Sequence, residues 1–402
     1  MYVVTRCGSR AVISSLKLFN EFLDGALGKI PSHQSVFNWL KKVGIMEFLD
    51  ACEKLRGKKY AIVIDESITV GSQKLLLILG IPAKHTGDKS LSHKDAIVLG
   101  MAVSPSWNGG NIEKEIAKIK DKIGYAPEYV VSDNGRNLCK GVEESGLAHH
   151  KDISHSFGII LEKEYKDRAD FKQLTDIMDK KRLSLHLTGS AYLLPPKQRA
   201  ISRFMNISTW VDWAYHLIKH FNRLSDKEKK DFSFILEYQS LVLELHAVMD
   251  CVNFVSARLK RGGLSEFWAD FCSFYVKKTL IESDSVLFDG AKRVGRGIVK
   301  YIEDEKNLLA SKNDCHNISS DIIESTFGAY KYIQSYNKLN GVTTLILAIP
   351  LLGKLRTEND MTKFEIKMKL EAVRMLDLQD WKKMNLLDNW TGKRVEVLKK
   401  IG

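Results

Sequence analysis

Residues 58–70, KKYAIVIDESITV, decide the fold. The apolar, mostly β-branched run 60–64 reads as a strand buried on both faces, because a strand covered on one face would alternate polar with apolar residues. It delivers Asp65 and Glu66 at its carboxyl end, the place where ligands of open α/β sheets collect, so these acids are candidate site residues. The competing reading of Asp65 is a turn cap. Two further apolar runs, 74–81 (KLLLILGI) and 96–103 (AIVLGMAV), are separated by a polar loop rich in Lys, Ser and His, and three strands in succession predict an antiparallel meander. An amphipathic helix over 111–123 follows. Next come a short strand, 127–133 (PEYVVSD), ending in a second acid, a helix starting near Asn134, Gly135, Arg136 and Asn137, and a short strand within 149–154. A crossover helix that returns the chain beside the first strand would make the first and fourth strands neighbours and bring Asp65 to Asp133 at one edge.

Upstream of that core, 11–24 and 31–44 (PSHQSVFNWLKKVG) carry helical spacing on either side of a turn that includes Pro31. Ser32 is the expected N-cap, with Val36, Phe37, Trp39 and Leu40 inside. The second helix resembles the recognition half of a helix-turn-helix, with His33, Gln34, Ser35 and Asn38 placed to reach base edges and Lys41 and Lys42 near its end. An ordinary packing helix fits the same pattern.

Downstream of 157 the strand signal stops. Long helical patterns rich in Trp, Phe and Leu run to about 305, a large all-α insertion whose aromatics read as core and whose Arg258, Lys260 and Arg261 are placed to line a nucleic-acid path. The stretch 318–336 (ISSDIIESTFGAYKYIQSY) predicts a helix capped by Ser319 or Ser320. On it Glu324, Phe327, Gly328 and Lys331 share a face, and apolar neighbours shelter the glutamate. The expected division is an N-terminal helix-turn-helix-like DNA-binding segment (1–54), the first part of a sheet-bearing core (55–156), the insertion (157–310), the closing helices of the core (311–355) and a helical tail with a basic end (356–402).

With 402 residues and 44% hydrophobic content there is material for two or three domains. Lys and Arg outnumber Asp and Glu by 61 to 49, a net charge of +12 that suits a polyanionic partner. No long uninterrupted apolar run and no apolar signal core occur, so a soluble cytoplasmic protein is expected. The six cysteines are scattered without a CxxC pair and read as reduced thiols. Cys315 and His316 lack the second pair that a zinc site needs, and read as a loop before a helix; His155 reads as structural.

Three acids remain. Asp65 and Asp133 lie 68 positions apart (133 − 65), and Glu324 follows 191 later (324 − 133). Clustered carboxylates are natural ligands for the two hard cations, about 4 Å apart, that assist phosphodiester cleavage and strand transfer. On VIDES around Asp65, VVSDNGRNL around Asp133 and SSDIIESTFGAYK around Glu324, the chain resembles a DDE-type transposase of a bacterial insertion sequence. The resemblance covers about residues 30–355, and the long second interval matches members that insert a domain before the last acid. It implies an α/β fold: a ribonuclease H-like mixed five-stranded sheet flanked by helices.

It further implies that Asp65, Asp133 and Glu324 are the metal-binding catalytic acids, holding two Mg²⁺ ions for which Mn²⁺ substitutes. The reaction implied is cleavage at transposon ends and transfer of the 3′ ends to target DNA. Lys331 matches the DNA-contacting lysine of a Tyr, Arg, Glu, Lys signature, whose arginine and tyrosine places are held here by Ser320 and Asn317. The implied partners are double-stranded DNA, as terminal inverted repeats and as target, contacted also through Asn134 and Arg136, together with a second or further copy of the chain. The implied setting is the bacterial cytoplasm, at the nucleoid when DNA-bound. A nuclease without strand transfer and a domesticated transposase that only binds DNA are the competing readings.

Overall fold

The computed structural model describes residues 2–5, 7–68, 73–197, 204, 207–282, 288–333, 341–355, 361–388 and 390–401. Five strands, β1 (Tyr60–Ile68), β2 (Lys74–Pro82), β3 (Ile97–Ser104), β4 (Tyr129–Ser132) and β5 (Ala148–Lys151), form one sheet in the order β3-β2-β1-β4-β5. β1 is antiparallel to β2, β2 is antiparallel to β3, and β1 runs parallel to β4. The sheet is mixed and flanked by helices, as an α/β fold requires.

β1 is longer than its apolar run. Its ladder with β2 continues to the pair Ile68↔Lys74, so Asp65 and Glu66 lie inside the strand, opposite Leu77 and Leu76, and not at its end. The antiparallel hairpin sustains β1 past the point where the shorter β4 stops. Alternation then sends the two acids to opposite faces. Glu66 shares the face of Ile62 and Ile64 and pairs with Lys74 at 2.8 Å.

The same alternation sorts the core. On one face Ala61, Val63, Leu75, Leu77, Tyr129 and Val131 pack with the helices His33–Leu49 and Asp321–Ile333 and the 3₁₀ segment Thr344–Leu351. On the other, Ile62, Ile64, Leu76, Ile78 and Val130 lie under the helices Gly109–Ile123 and Arg136–Glu144. The first of these buries Ile112, Ile116, Ile119 and Ile123 along one stripe. It starts where Asn108 accepts a hydrogen bond from the Asn111 N–H and ends at Gly124, whose φ of 98° suits a residue without Cβ. β5 ends before the expected 149–154 strand does. Asp152 accepts from the His155 N–H at 2.8 Å and so caps the next helix, Ile153–Tyr165.

The chain forms two compact units, one of residues 1–84, 90–150 and 320–402, the other of 85–89 and 151–319. The N-terminal helices and the tail belong to the first: Val12, Leu40 and Val43 share a core with Val63, Leu378 and Trp381. The helix expected over 31–44 runs on to Leu49, and Trp39, expected inside, is 46% exposed. Within the second unit, the helical run Asp226–Gly262 is long and apolar enough to cross a membrane by length and composition, but half of its most apolar window is buried in the protein. There Glu244 accepts two 2.9 Å hydrogen bonds from Arg168 and one of 3.0 Å from the Tyr165 hydroxyl. Cys315 and His316 are not in an open loop: His316 exchanges backbone hydrogen bonds with Leu264, and the Cys315 thiol donates to the Gly262 carbonyl.

Candidate active site

The pairing of β1 with β4 sets the site. Ile62 stands beside Val130 and Val63 beside Val131, an offset of 68 in both cases, which is also the offset from Asp65 to Asp133, two residues past the last pair. Asp65 continues the phase of Ala61 and Val63, and Asp133 that of Tyr129 and Val131, just beyond the end of β4. The sheet face these residues share is the one covered by the helix Asp321–Ile333, whose Ile322, Ile323 and Phe327 pack into the same core. One face of the sheet thus carries the elements of all three acids.

Each aspartate is held by the backbone. The Glu66 N–H donates to Asp65 Oδ1 at 2.7 Å, and the Gly135 N–H to Asp133 Oδ1 at 2.8 Å. The second contact is the turn that starts the helix Arg136–Glu144, and it is close. A Cβ at Gly135 would stand 2.9 Å from Asp133 Oδ1, so only glycine leaves the carboxylate undisturbed.

Glu324 differs from expectation. Its apolar neighbours turn into the core and the glutamate itself is exposed; Phe327, expected on its face, is 5% exposed. The reason is helical phase: Ile323, Phe327 and Tyr330 point at the sheet, which leaves Glu324, Gly328 and Lys331 together on the outer surface. Among the described residues, no group of three or more His, Cys, Asp or Glu side chains is arranged to hold a metal ion.

The expected DNA-contacting residues fall in three places. Arg136 is exposed and Asn134 half-buried where β4 runs into its helix, and Lys331 is exposed beyond Glu324. His33 and Gln34 are exposed at the start of the N-terminal helix, where Gln34 Nε2 donates to Asn38 Oδ1 at 3.1 Å. Lys41 and Lys42 lie in mid-helix, partly covered by the tail. Lys42 donates to the Leu370 carbonyl, and burial, with Lys382 nearby, pulls the Lys41 ammonium below its ordinary pKa. Neither is presented to solvent as an open cation.

His93 was only one of several polar residues in the loop before β3. Its ring hydrogen-bonds Ser325 Oγ at 3.2 Å and Thr326 Oγ1 at 3.4 Å, tying the loop to the Glu324 helix. No spacing rule links it to that helix, 232 positions away. No family model matches the chain, and no curated protein matches it.

Proposed function

We propose that the protein is a ribonuclease H-like, nucleic-acid-processing enzyme, and more narrowly a DDE transposase that cleaves phosphodiester bonds at transposon ends and transfers the 3′ ends to target DNA. The observation that carries this reading is the parallel register of β1 and β4. Its offset of 68 is that from Asp65 to Asp133, two residues past its last pair, on strands whose Ala61, Val63, Tyr129 and Val131 share a core with the Glu324 helix.

The three carboxylates are hard oxygen donors of the kind Mg²⁺ takes, and Asp65, Asp133 and Glu324 would hold the ions once drawn together, since they form no metal-holding group as they stand. Bound there, Mg²⁺ or Mn²⁺ supplies positive charge against the phosphodiester oxygens as negative charge builds on them. The remaining work falls to the chain. Backbone N–H groups orient Asp65 and Asp133, the helix sets Glu324 and Lys331 on one exposed face, and Lys331 and Arg136 neutralise DNA phosphates. His33, Gln34 and Asn38 are the base-contacting candidates of the N-terminal helix. A second copy on a paired end belongs to the same proposal.

Binding without catalysis is the second reading, favoured by one observation: Glu324 is exposed and does not form a metal-holding group with the aspartates. Incubating the purified protein with labelled duplex carrying the element's end in Mg²⁺ separates the two. Cleavage by the wild type, abolished by each of Asp65→Asn, Asp133→Asn and Glu324→Gln with binding retained, is expected. A wild type that binds but never cuts, or any one variant that cuts normally, sinks the catalytic reading. Products joined to a second duplex distinguish transfer from simple hydrolysis.

A further inference from the structure

One face of the helix Glu266–Val276, in the second unit, is left to solvent, and it is aromatic. Phe267, Phe271 and Phe274, spaced by four and then three residues, are 67, 39 and 60% exposed, and Phe254 of the helix Gln239–Gly262 joins them at 40%. We propose that this ridge pairs, antiparallel, with the same ridge of a second copy of the chain. The proposal gives the second copy in the proposed function its surface, and it rests on that reading.

The four rings make one surface. Centroids lie 6.5 Å apart from Phe267 to Phe271, 6.4 Å from Phe271 to Phe254 and 4.2 Å from Phe254 to the half-buried Tyr275. At these exposures the phenylalanines offer about 400 Å² of apolar surface. That matches the largest patch of a typical monomer, about 300–600 Å² and often functional. It is about half of the roughly 800 Å² that one partner gives to a standard interface.

A charged rim supplies the rest, and its signs fit a second copy. Between this helix and Asp289–Lys306 lies a cleft of about 460 Å³, lined by Phe274 and by Asp270, Lys277, Glu303 and Lys306. Lys306 meets Asp270 at 2.6 Å, and Lys277 meets Glu303 at 3.8 Å. The order of sign thus reverses along the cleft, with the acid on the aromatic helix in the first pair and the base on it in the second.

A two-fold axis that runs the two aromatic helices antiparallel exchanges those pairs. Asp270 then faces Lys277 of the second copy, Lys306 faces its Glu303, and Phe271 lies against its Phe274, each contact being made twice. Parallel pairing would set like charge against like. The rim therefore selects the antiparallel arrangement around an aromatic centre, the usual anatomy of an interface. Charge also sets aside a polyanion: Lys277, Lys278 and Lys306 are matched by Glu303, Glu282 and Asp270, so these lysines bring no excess of positive charge to the ridge.

The test is sedimentation equilibrium of the full chain over a wide concentration range, without DNA or Mg²⁺. The wild type is expected to pass from monomer to dimer. Phe267→Ser should weaken the dimer by at least about a hundredfold, because an aromatic anchor is lost twice across the axis. Asp270→Lys and Lys277→Asp should each weaken it by about tenfold, since each sets two like-charge contacts. An equimolar mixture of those two variants makes both contacts opposite in sign again, and should dimerise like the wild type. Phe22→Ser, at a 78% exposed aromatic of the first unit, should change nothing. Thermal melting near that of the wild type checks each fold; should Phe267→Ser melt early, the mixture decides.

A wild type that stays monomeric, a folded Phe267→Ser chain that dimerises normally, a mixture no tighter than its components, or an equal loss in Phe22→Ser overturns the proposal. A monomeric wild type that binds a mixed-sequence single-stranded oligonucleotide in fluorescence anisotropy, and loses that binding in Phe267→Ser, assigns the ridge to unpaired bases and overturns the second copy. These readouts need no cleavage, so failure of the catalytic reading is seen separately, in the acid variants.

Discussion

Glu244 is 4% exposed, and its charge is tolerable in the second unit only because Arg168 and Tyr165 meet it. Burial, the Glu244 charge and its hydrogen bond all raise the Tyr165 pKa, so that hydroxyl stays a donor throughout the ordinary pH range. Gly290 completes the arrangement, since a Cβ there would fall 2.1 Å from Glu244 Oε1. Removing one member of such a pair leaves an uncompensated buried charge. Arg168→Met should therefore cost about 3 kcal/mol, read from urea unfolding, and adding Glu244→Leu should recover most of it. The acid pattern of a catalytic strand is visible in a sequence, but this pair is not. Nothing in the spacing of Arg168 and Glu244, 76 residues apart, says that they touch.

At the scale of elements, Gly44 explains why the N-terminal helix ignores its expected stop. Read alone, a glycine after Lys41, Lys42 and Val43 is a C-terminal signal. In the fold it faces the 3₁₀ segment Thr344–Leu351, and a Cβ would lie 1.7 Å from the Leu347 carbonyl oxygen. The glycine serves close packing, so the helix continues through it to Leu49. Gly44→Ala must push the two elements apart; the expected loss is about 3 kcal/mol in denaturant unfolding. The same logic corrects Glu324. A helix pattern predicts which residues share a face, but the sheet decides which face turns inward, and it takes Ile323 and Phe327 and leaves the glutamate outside.

At the scale of the first unit, Glu47 ties the N-terminal helix to distant segments. It is 3% exposed and bonded to Lys369 and Lys54 at 2.6 Å, with Lys354 at 3.4 Å. Burial alone would raise its pKa, but hydrogen bonds from Lys369 and Lys54 overcome this and hold it at about 2, below its ordinary 4.5. A carboxyl that binds its proton less readily when folded stabilises the protein above its unfolded pKa. That contribution is full above about pH 4.5 and is lost as pH falls toward 2. A shift of this size corresponds to about 3 kcal/mol. Urea midpoints should therefore fall between pH 5 and pH 3 by more in the wild type than in Glu47→Gln, a less stable protein whose position 47 does not titrate.

The sequence alone determined the kinds of elements and their order: a buried strand, a meander, a crossover to a second acid-tipped strand, an all-helical insertion, and a helix bearing Glu324. Those follow from periodicity and from turn and cap chemistry, which act over a few residues. Tertiary structure decided how far β1 extends past its apolar run, because its hairpin with β2 outlasts its pairing with β4. It also decided that the tail covers Lys41 and Lys42, that Glu324 faces outward, and that His93 reaches the Glu324 helix. Each of these depends on residues tens to hundreds of positions apart, and local spacing carries no record of such contacts.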